Sequence, residues 1–116
     1  MIHEMRLNNE PFCCIKAGTK TIELRLYDEK RSKIKAGDYI EFINRKTNER
    51  IKVEVINIHK YSSFTELYNN FNKISLGYNE DEKADPNDMQ QYYPIEEQEK
   101  YGVVGIEIKL IKKGNL

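Results

Sequence analysis

Ala17-Gly18-Thr19-Lys20-Thr21-Ile22-Glu23-Leu24-Arg25 decides how this chain is read, because a helix gives way to a strand inside it. Gly18 suits the left-handed residue that stops a helix, and it also lets a ligand approach backbone amides closely. Beyond it, residues two apart on an extended chain point to the same side. Ile22, Leu24 and Leu26 therefore share a core face, while Thr21, Glu23 and Arg25 share the other. That other face sets a carboxylate and a guanidinium about 7 Å apart by Cα spacing, with the Lys20 ammonium close by. Residue types alone leave two readings open. In one, Glu23 and Arg25 form a solvated pair contributing at most about 1 kcal/mol, and Lys20 finishes a helix. In the other, the face is the floor of an anion-attracting cleft. Lys20 and Arg25 then bind a phosphate or carbonyl oxygen, and Glu23 orients them or accepts a proton.

Upstream, Ile2 to Leu7 reads as a strand with Met5 and Leu7 on one face. Asn8 or Asn9 is placed to cap a helix, Glu10 suits its first turn and Pro11 is tolerated there. Phe12, Ile15 and Thr19 lie along one helical face. The neighbouring Cys13 and Cys14 are poorly placed for a mutual disulfide. At helical spacing they point about 100° apart, so at least one is expected in the core.

Downstream, 27–33 is turn-like, with a short helical turn before Ile34, and Gly37-Asp38 leads into a strand over 39–44. A polar loop at 45–49 returns as a long strand over 50–60, ended by His59 and Tyr61. There Ile51, Val53 and Val55 alternate with polar residues, and the phase then switches at Ile56 and Ile58, which predicts a bulge. Ser62 or Ser63 caps a helix whose face is Phe64, Leu67, Tyr68 and Phe71, and Gly77 ends that segment. The acidic run 79–88 lacks the ligand spacing of a calcium loop. Asp85-Pro86 starts a helix carrying Met89, Tyr92 and Tyr93 inward, and Pro94 opens another over 95–101, stopped by Gly102. In the final strand, 103–111, Val104, Ile106, Ile108 and Leu110 alternate with Gly105, Glu107 and Lys109; 112–116 is a tail. Scattered strands with short helices inserted suit a closed or nearly closed mixed barrel.

Residues 1–116 are read as one domain, long enough to bury about two-thirds of the unfolded surface without disulfide or metal. Nineteen basic and nineteen acidic residues cancel. A surface that coats nucleic acid regardless of sequence is usually basic, so neutrality favours a compact pocket for one nucleotide or a short flipped-out segment. No apolar leader or bilayer-spanning run is present, and the chain is expected to be cytoplasmic without membrane contact. With only His3 and His59, and no phosphate-loop, dinucleotide or serine-elbow motif, neither metal nor cofactor is expected. A second group comprises Tyr92, Tyr93, Glu96, Glu97 and Tyr101. It is either an acidic solvent-facing helix with tyrosines at its base, or a segment over the cleft. In the latter case a tyrosine faces a base and Glu96 or Glu97 acts as acid or base.

The helix Pro11 to Lys16 and the run Gly18 to Arg25 resemble the ASCH domain family, small PUA-like barrels related to RNA-binding modules. The family signature Gly-x-Lys-x-x-Glu-x-Arg falls on Gly18, Lys20, Glu23 and Arg25. Further matches are Ile34-Lys35-Ala36-Gly37-Asp38-Tyr39-Ile40 and Tyr101-Gly102-Val103-Val104-Gly105-Ile106-Glu107-Ile108. The resemblance implies an α+β fold, a PUA-like mixed barrel of about five or six strands with short helices inserted. It implies an RNA or nucleotide ligand in the cleft beside the signature, held by Gly18, Thr19, Lys20, Glu23 and Arg25; where the second group lies over that cleft, Tyr93 faces the ligand. A monomer or weak dimer fits this reading. One bacterial branch resembles amidohydrolases that deacetylate N4-acetylcytidine, and ribonuclease activity has been attributed to members. In such an enzyme Lys20 and Glu23 would be catalytic. The deacetylating branch has a threonine three residues after the lysine, where this chain has Glu23. A protein-interaction module without small ligand is the third reading.

Overall fold

The computed structural model describes residues 1–111. The sequence patterns become β1 (Ile2–Leu7), α1 (Asn9–Ala17), β2 (Ile22–Leu26) and α2 (Glu29–Ser32), then β3 (Tyr39–Asn44) and β4 (Arg50–Tyr61). They continue as α3 (Phe64–Tyr68), a 3-10 helix (Pro86–Gln91), α4 (Ile95–Tyr101) and β5 (Val103–Leu110). The expected tail, 112–116, lies outside the described residues.

The five strands form one sheet in the order β1-β3-β4-β5-β2, curled into a half-barrel with the short helices around it. This is the expected α+β, PUA-like architecture. β1 and β3 run parallel, from Ile2 opposite Tyr39 to Leu7 opposite Asn44. A parallel pair needs a long crossover, and here that crossover contains α1, β2 and α2. The other pairs are antiparallel. The register between β4 and β5 shifts between Val55 and Asn57, which places the expected bulge at Ile56. Ile56 is thereby turned outward while Val53 and Val55 stay in the core.

Two apolar clusters support the sheet. One gathers Met5, Leu7, Phe12, Ile15, Ile40, Phe42, Val53, Val55, Val104, Ile106 and Ile108. The other gathers Ile22, Leu24, Leu26, Phe64, Leu67, Leu76, Met89 and Val103. Gly105, opposite Leu24, permits the second cluster to close. A Cβ there would stand 3.0 Å from Ile22 Cγ2 and 3.3 Å from Leu67 Cδ1.

Several local expectations are corrected. Neither neighbouring cysteine is a core residue, since Cys13 is exposed and Cys14 half-buried. Phe12 and Ile15 take the buried positions on that helix. Asn8 occupies the N-cap position of α1 without a side-chain cap, because its amide oxygen accepts from Arg45 instead. Thr19 lies past the helix, exposed, with its hydroxyl bonded to the Cys14 carbonyl, and not on the Phe12–Ile15 face. Tyr92 is 53% exposed, because the segment Pro86–Gln91 winds as a 3-10 helix and turns Met89 and Tyr93 inward without it.

Candidate functional site

α1 ends at Gly18, whose φ of 86° takes the left-handed conformation expected of it. The chain then runs through Lys20 into β2, every residue of which is buried. This overturns the solvated-pair reading of the polar face. Lys20, Glu23 and Arg25 are only 5%, 4% and 8% exposed.

Glu23 is the hub of these charges. Its Oε2 accepts from Arg25 Nε at 2.8 Å, and its Oε1 lies 3.6 Å from Lys20 Nζ. The remaining donors find backbone oxygens. Lys20 Nζ donates to the Leu76 carbonyl at 2.9 Å, and Arg25 Nη2 to the Arg6 carbonyl at 3.2 Å. Gly77, at φ 106°, makes the lysine's place possible. A Cβ there would lie 3.1 Å from Lys20 Cδ and 3.4 Å from its Nζ.

Burial acts on the three groups in different senses. Burial pulls the Lys20 ammonium below its ordinary pKa; Glu23 opposes this, and Arg25 adds to it. For Glu23, burial pushes upward, but Arg25 and then Lys20 outweigh it, and the carboxyl is held below its ordinary range. Arg25 is held charged, since Glu23 and Tyr93 outweigh its burial. Lys20 and Glu23 therefore shift the same way, although an ion pair should push them apart. Two causes decide this: the closer Arg25 dominates the carboxylate, and desolvation dominates the lysine. The unit acts as a firm Glu23–Arg25 pair with a strained lysine beside it.

The three side chains border an open cleft of about 890 Å³. Its walls come from the end of β1 with the start of α1 (Arg6 to Cys14), from Arg31 and Arg45, and from the segment 76–93. Five basic side chains (Arg6, Lys20, Arg25, Arg31, Arg45) face four acidic ones (Glu10, Glu23, Glu82, Asp88). Tyr68, Tyr78, Tyr92 and Tyr93 contribute rings. Buried Arg31 Nε has no hydrogen-bond partner among the described residues, although Nη1 of the same side chain pairs with Asp28 at 2.9 Å.

Of the residues singled out in the sequence, Lys20, Glu23, Arg25, Tyr92 and Tyr93 line this cleft. Gly18 and Thr19 do not line it; both are exposed at the outer turn after α1. Glu96, Glu97 and Tyr101 are exposed and outside it as well. α4 instead fixes the site from behind, where buried Gln98 donates to the Tyr93 carbonyl at 2.9 Å. Arg6, Arg45, Tyr78 and Asp88 were not singled out, because no local pattern marks them and only the tertiary fold brings them to one cavity. Among the described residues no cluster of His, Cys, Asp or Glu is placed to hold a metal. His3 pairs with Asp38 and His59 with Glu107, each at 2.9 Å.

The ASCH domain family model matches residues 5–112. The chain belongs to the ASCH domain family. It is similar in structure to the hypothetical protein PH0355, with 40% identity over 96% of this chain and all of that one, at a TM-score of 0.81. The solution structure of protein PF0455 from Pyrococcus furiosus is 39% identical over 97% of this chain and 99% of that one, at a TM-score of 0.71. An ASCH domain from Lactobacillus crispatus shares the fold at 14% identity, covering 94% of this chain and 79% of that one, at a TM-score of 0.65. No curated protein matches the chain at a significant level.

Proposed function

We propose that this protein binds RNA or a nucleotide, taking one nucleotide or a short single-stranded segment into the cleft over Lys20, Glu23 and Arg25. The observation that carries this reading is a buried, charged floor opening into a large cleft. Desolvated charges cost stability even when paired, and a well-packed apolar core would serve folding as well or better. A floor of this kind is explained when it meets a polar ligand. Membership of a family thought to bind RNA supports the same reading.

The volume fits a nucleoside phosphate, since ligand sites usually span about 300–1,000 Å³. Arginine forks suit phosphate oxygens and tyrosine rings suit bases. The orphaned Arg31 Nε offers a further donor, and buried donors are seldom left unpaired. The near balance of charge along the walls suits one nucleotide better than a long backbone, whose binding draws on many phosphate contacts.

Calorimetry and thermal shift against nucleosides, nucleoside monophosphates and short single-stranded RNAs test this. Wild type should bind one class, and Lys20→Met, checked for fold by circular dichroism, should lose that binding. Absence of binding across the panel by folded wild type would overturn the reading and favour a protein-interaction module.

A second reading is a hydrolase acting on an N4-acetylcytidine-type nucleoside. The lowered pKa of Lys20 favours it, because a buried amine that gives up its proton more readily can serve as base or nucleophile. Glu23, standing where the deacetylating branch has threonine, would supply the assisting carboxylate. Incubation with N4-acetylcytidine should release acetate and cytidine; intact nucleoside binding without turnover would exclude it.

A further inference from the structure

Charge is divided across the cleft. On the side of β1 and α1, Arg6 and Arg45 line it, and neither pairs with a carboxylate among the described residues. Glu10 is the one acid on that side. The facing segment 76–93 lines the cleft with Glu82, Asp88, Asn79, Gln91 and tyrosines, and contributes no cation to the lining.

Glu82 is partly engaged, its Oε1 accepting from the Asn79 amide at 2.7 Å. Asp88 is held differently. Its Oδ2 accepts from the Tyr78 hydroxyl at 2.8 Å, and that hydroxyl lies 2.9 Å from the Tyr68 hydroxyl. Burial raises the Tyr78 phenol well above its usual range, with Tyr68 and Asp88 adding, so Tyr78 stays a donor at neutral pH. The chain Tyr68–Tyr78–Asp88 fixes one carboxylate oxygen and leaves Oδ1 without a hydrogen bond among the described residues.

A carboxylate only accepts, so it selects a base edge that presents donors. On their pairing edges, adenine and cytosine each offer one amino group beside an acceptor, and uracil offers one N–H between two carbonyls. Guanine alone sets two donors side by side, N1–H and N2–H₂, matching the two oxygens of a carboxylate. Its O6 acceptor lies on the same edge, and the segment that carries Asp88 also closes on the floor, where the Leu76 carbonyl accepts from Lys20 Nζ. We propose that Asp88, positioned by Tyr78, reads the pairing edge of guanine while Arg6 and Arg45 receive the phosphate. This rests on the cleft being the nucleotide site.

The test is calorimetric titration with GMP, IMP, AMP, CMP, UMP and guanosine, using wild type, Asp88→Asn, Tyr78→Phe and Arg45→Ala. Asp88 and Arg45 lie outside the apolar clusters, Tyr78→Phe keeps the ring that packs against one of them, and circular dichroism checks each fold. Wild type should bind GMP about tenfold or more tightly than the other monophosphates, IMP included, since IMP lacks the N2 donors. Asp88→Asn should erase that preference while leaving AMP within about twofold. Tyr78→Phe should reduce the preference only in part, as befits a positioning residue. Arg45→Ala should weaken every monophosphate alike and leave guanosine unchanged. Equal binding of all monophosphates by wild type overturns the guanine assignment and leaves nucleotide binding standing. Guanosine as tight as GMP overturns the phosphate assignment. No binding by any of them overturns this inference, and binding of short single-stranded RNA by the same protein would leave the reading beneath it standing.

Discussion

Replacing Glu23 by glutamine removes the negative charge that two buried cations share, while keeping shape and one acceptor oxygen. Arg25 Nε stands 2.8 Å from that carboxylate and Lys20 Nζ 3.6 Å, with side-chain exposures of 10% and 4%. Breaking a buried pair by deleting one partner costs about 3–5 kcal/mol, because the other charge is left uncompensated. Against a total of about 5–15 kcal/mol this is a large share. At roughly 4 °C per kcal/mol for a chain of this size, the Tm should fall by about 12–20 °C. The deficit should also depend on pH. Without Glu23, burial and Arg25 both drive Lys20 further below its unfolded value. Between the folded and unfolded pKa values the unfolded chain holds more protons, so stability climbs as pH rises through that window. Calorimetry or chemical denaturation from neutral to mildly alkaline pH would show the gap to wild type narrowing. Glu49→Gln, which breaks the exposed pair with Lys16, is the control and should melt like wild type. A Glu23→Gln protein within about 1 kcal/mol of wild type would refute the reasoning, because the three charges would then behave as solvated ones.

Gly77→Ala should cost about 1–2 kcal/mol from its positive φ alone, plus the displacement of Lys20, read as a lower denaturation midpoint and a weaker ligand response. Glu23, its folded pKa lowered, gives stability present above the ordinary value of 4.5 and lost as pH falls through the folded one. An acid-unfolding curve should therefore be shallower for Glu23→Gln than for wild type. Ile106→Ala should cost about 2–5 kcal/mol and Ile56→Ala within about 0.5, which checks the bulge register by denaturant midpoint. Cys13, exposed at the cleft wall, should be alkylated in the native protein before half-buried Cys14, and a bound ligand should slow it, as peptide mass spectrometry would show.

Periodicity located most of the fold, because side-chain spacing records which face of an element is buried. The strands and the bulge at Ile56 were legible from alternation, and α4 from Pro94 and Gly102. The polar face of β2 was ambiguous, since alternation alone does not distinguish a solvated face from one covered by another layer. Burial of this charged unit depends on partners distant in the chain, the Leu76 carbonyl for Lys20 and the Arg6 carbonyl for Arg25, which leave no local trace. Cys13 and Cys14 were placed by angle alone, and the helix turned its cleft side toward them while Phe12 and Ile15 took the core. Gly18 and Thr19 belong to the signature without lining the cleft; Gly18 stops α1 and both sit on the turn that sets the approach of Lys20. Arg6, Arg45 and Asp88 were invisible because their role depends on a cavity.

β5 lies inside the sheet, between β4 and β2, with Ile22 opposite Glu107 and Leu26 opposite Val103. During synthesis β1, β3 and β4 can associate once residue 61 has emerged, but β2 has no neighbour to join until β5 arrives. The strand carrying Glu23 and Arg25 thus waits for about eighty residues of chain, a loop whose closure is entropically costly and slow. A nascent chain halted before that point presents β4 as a bare edge, open to pairing with other chains, and has no ordered cleft. A formed cleft in this protein therefore reports that the whole sheet has been assembled.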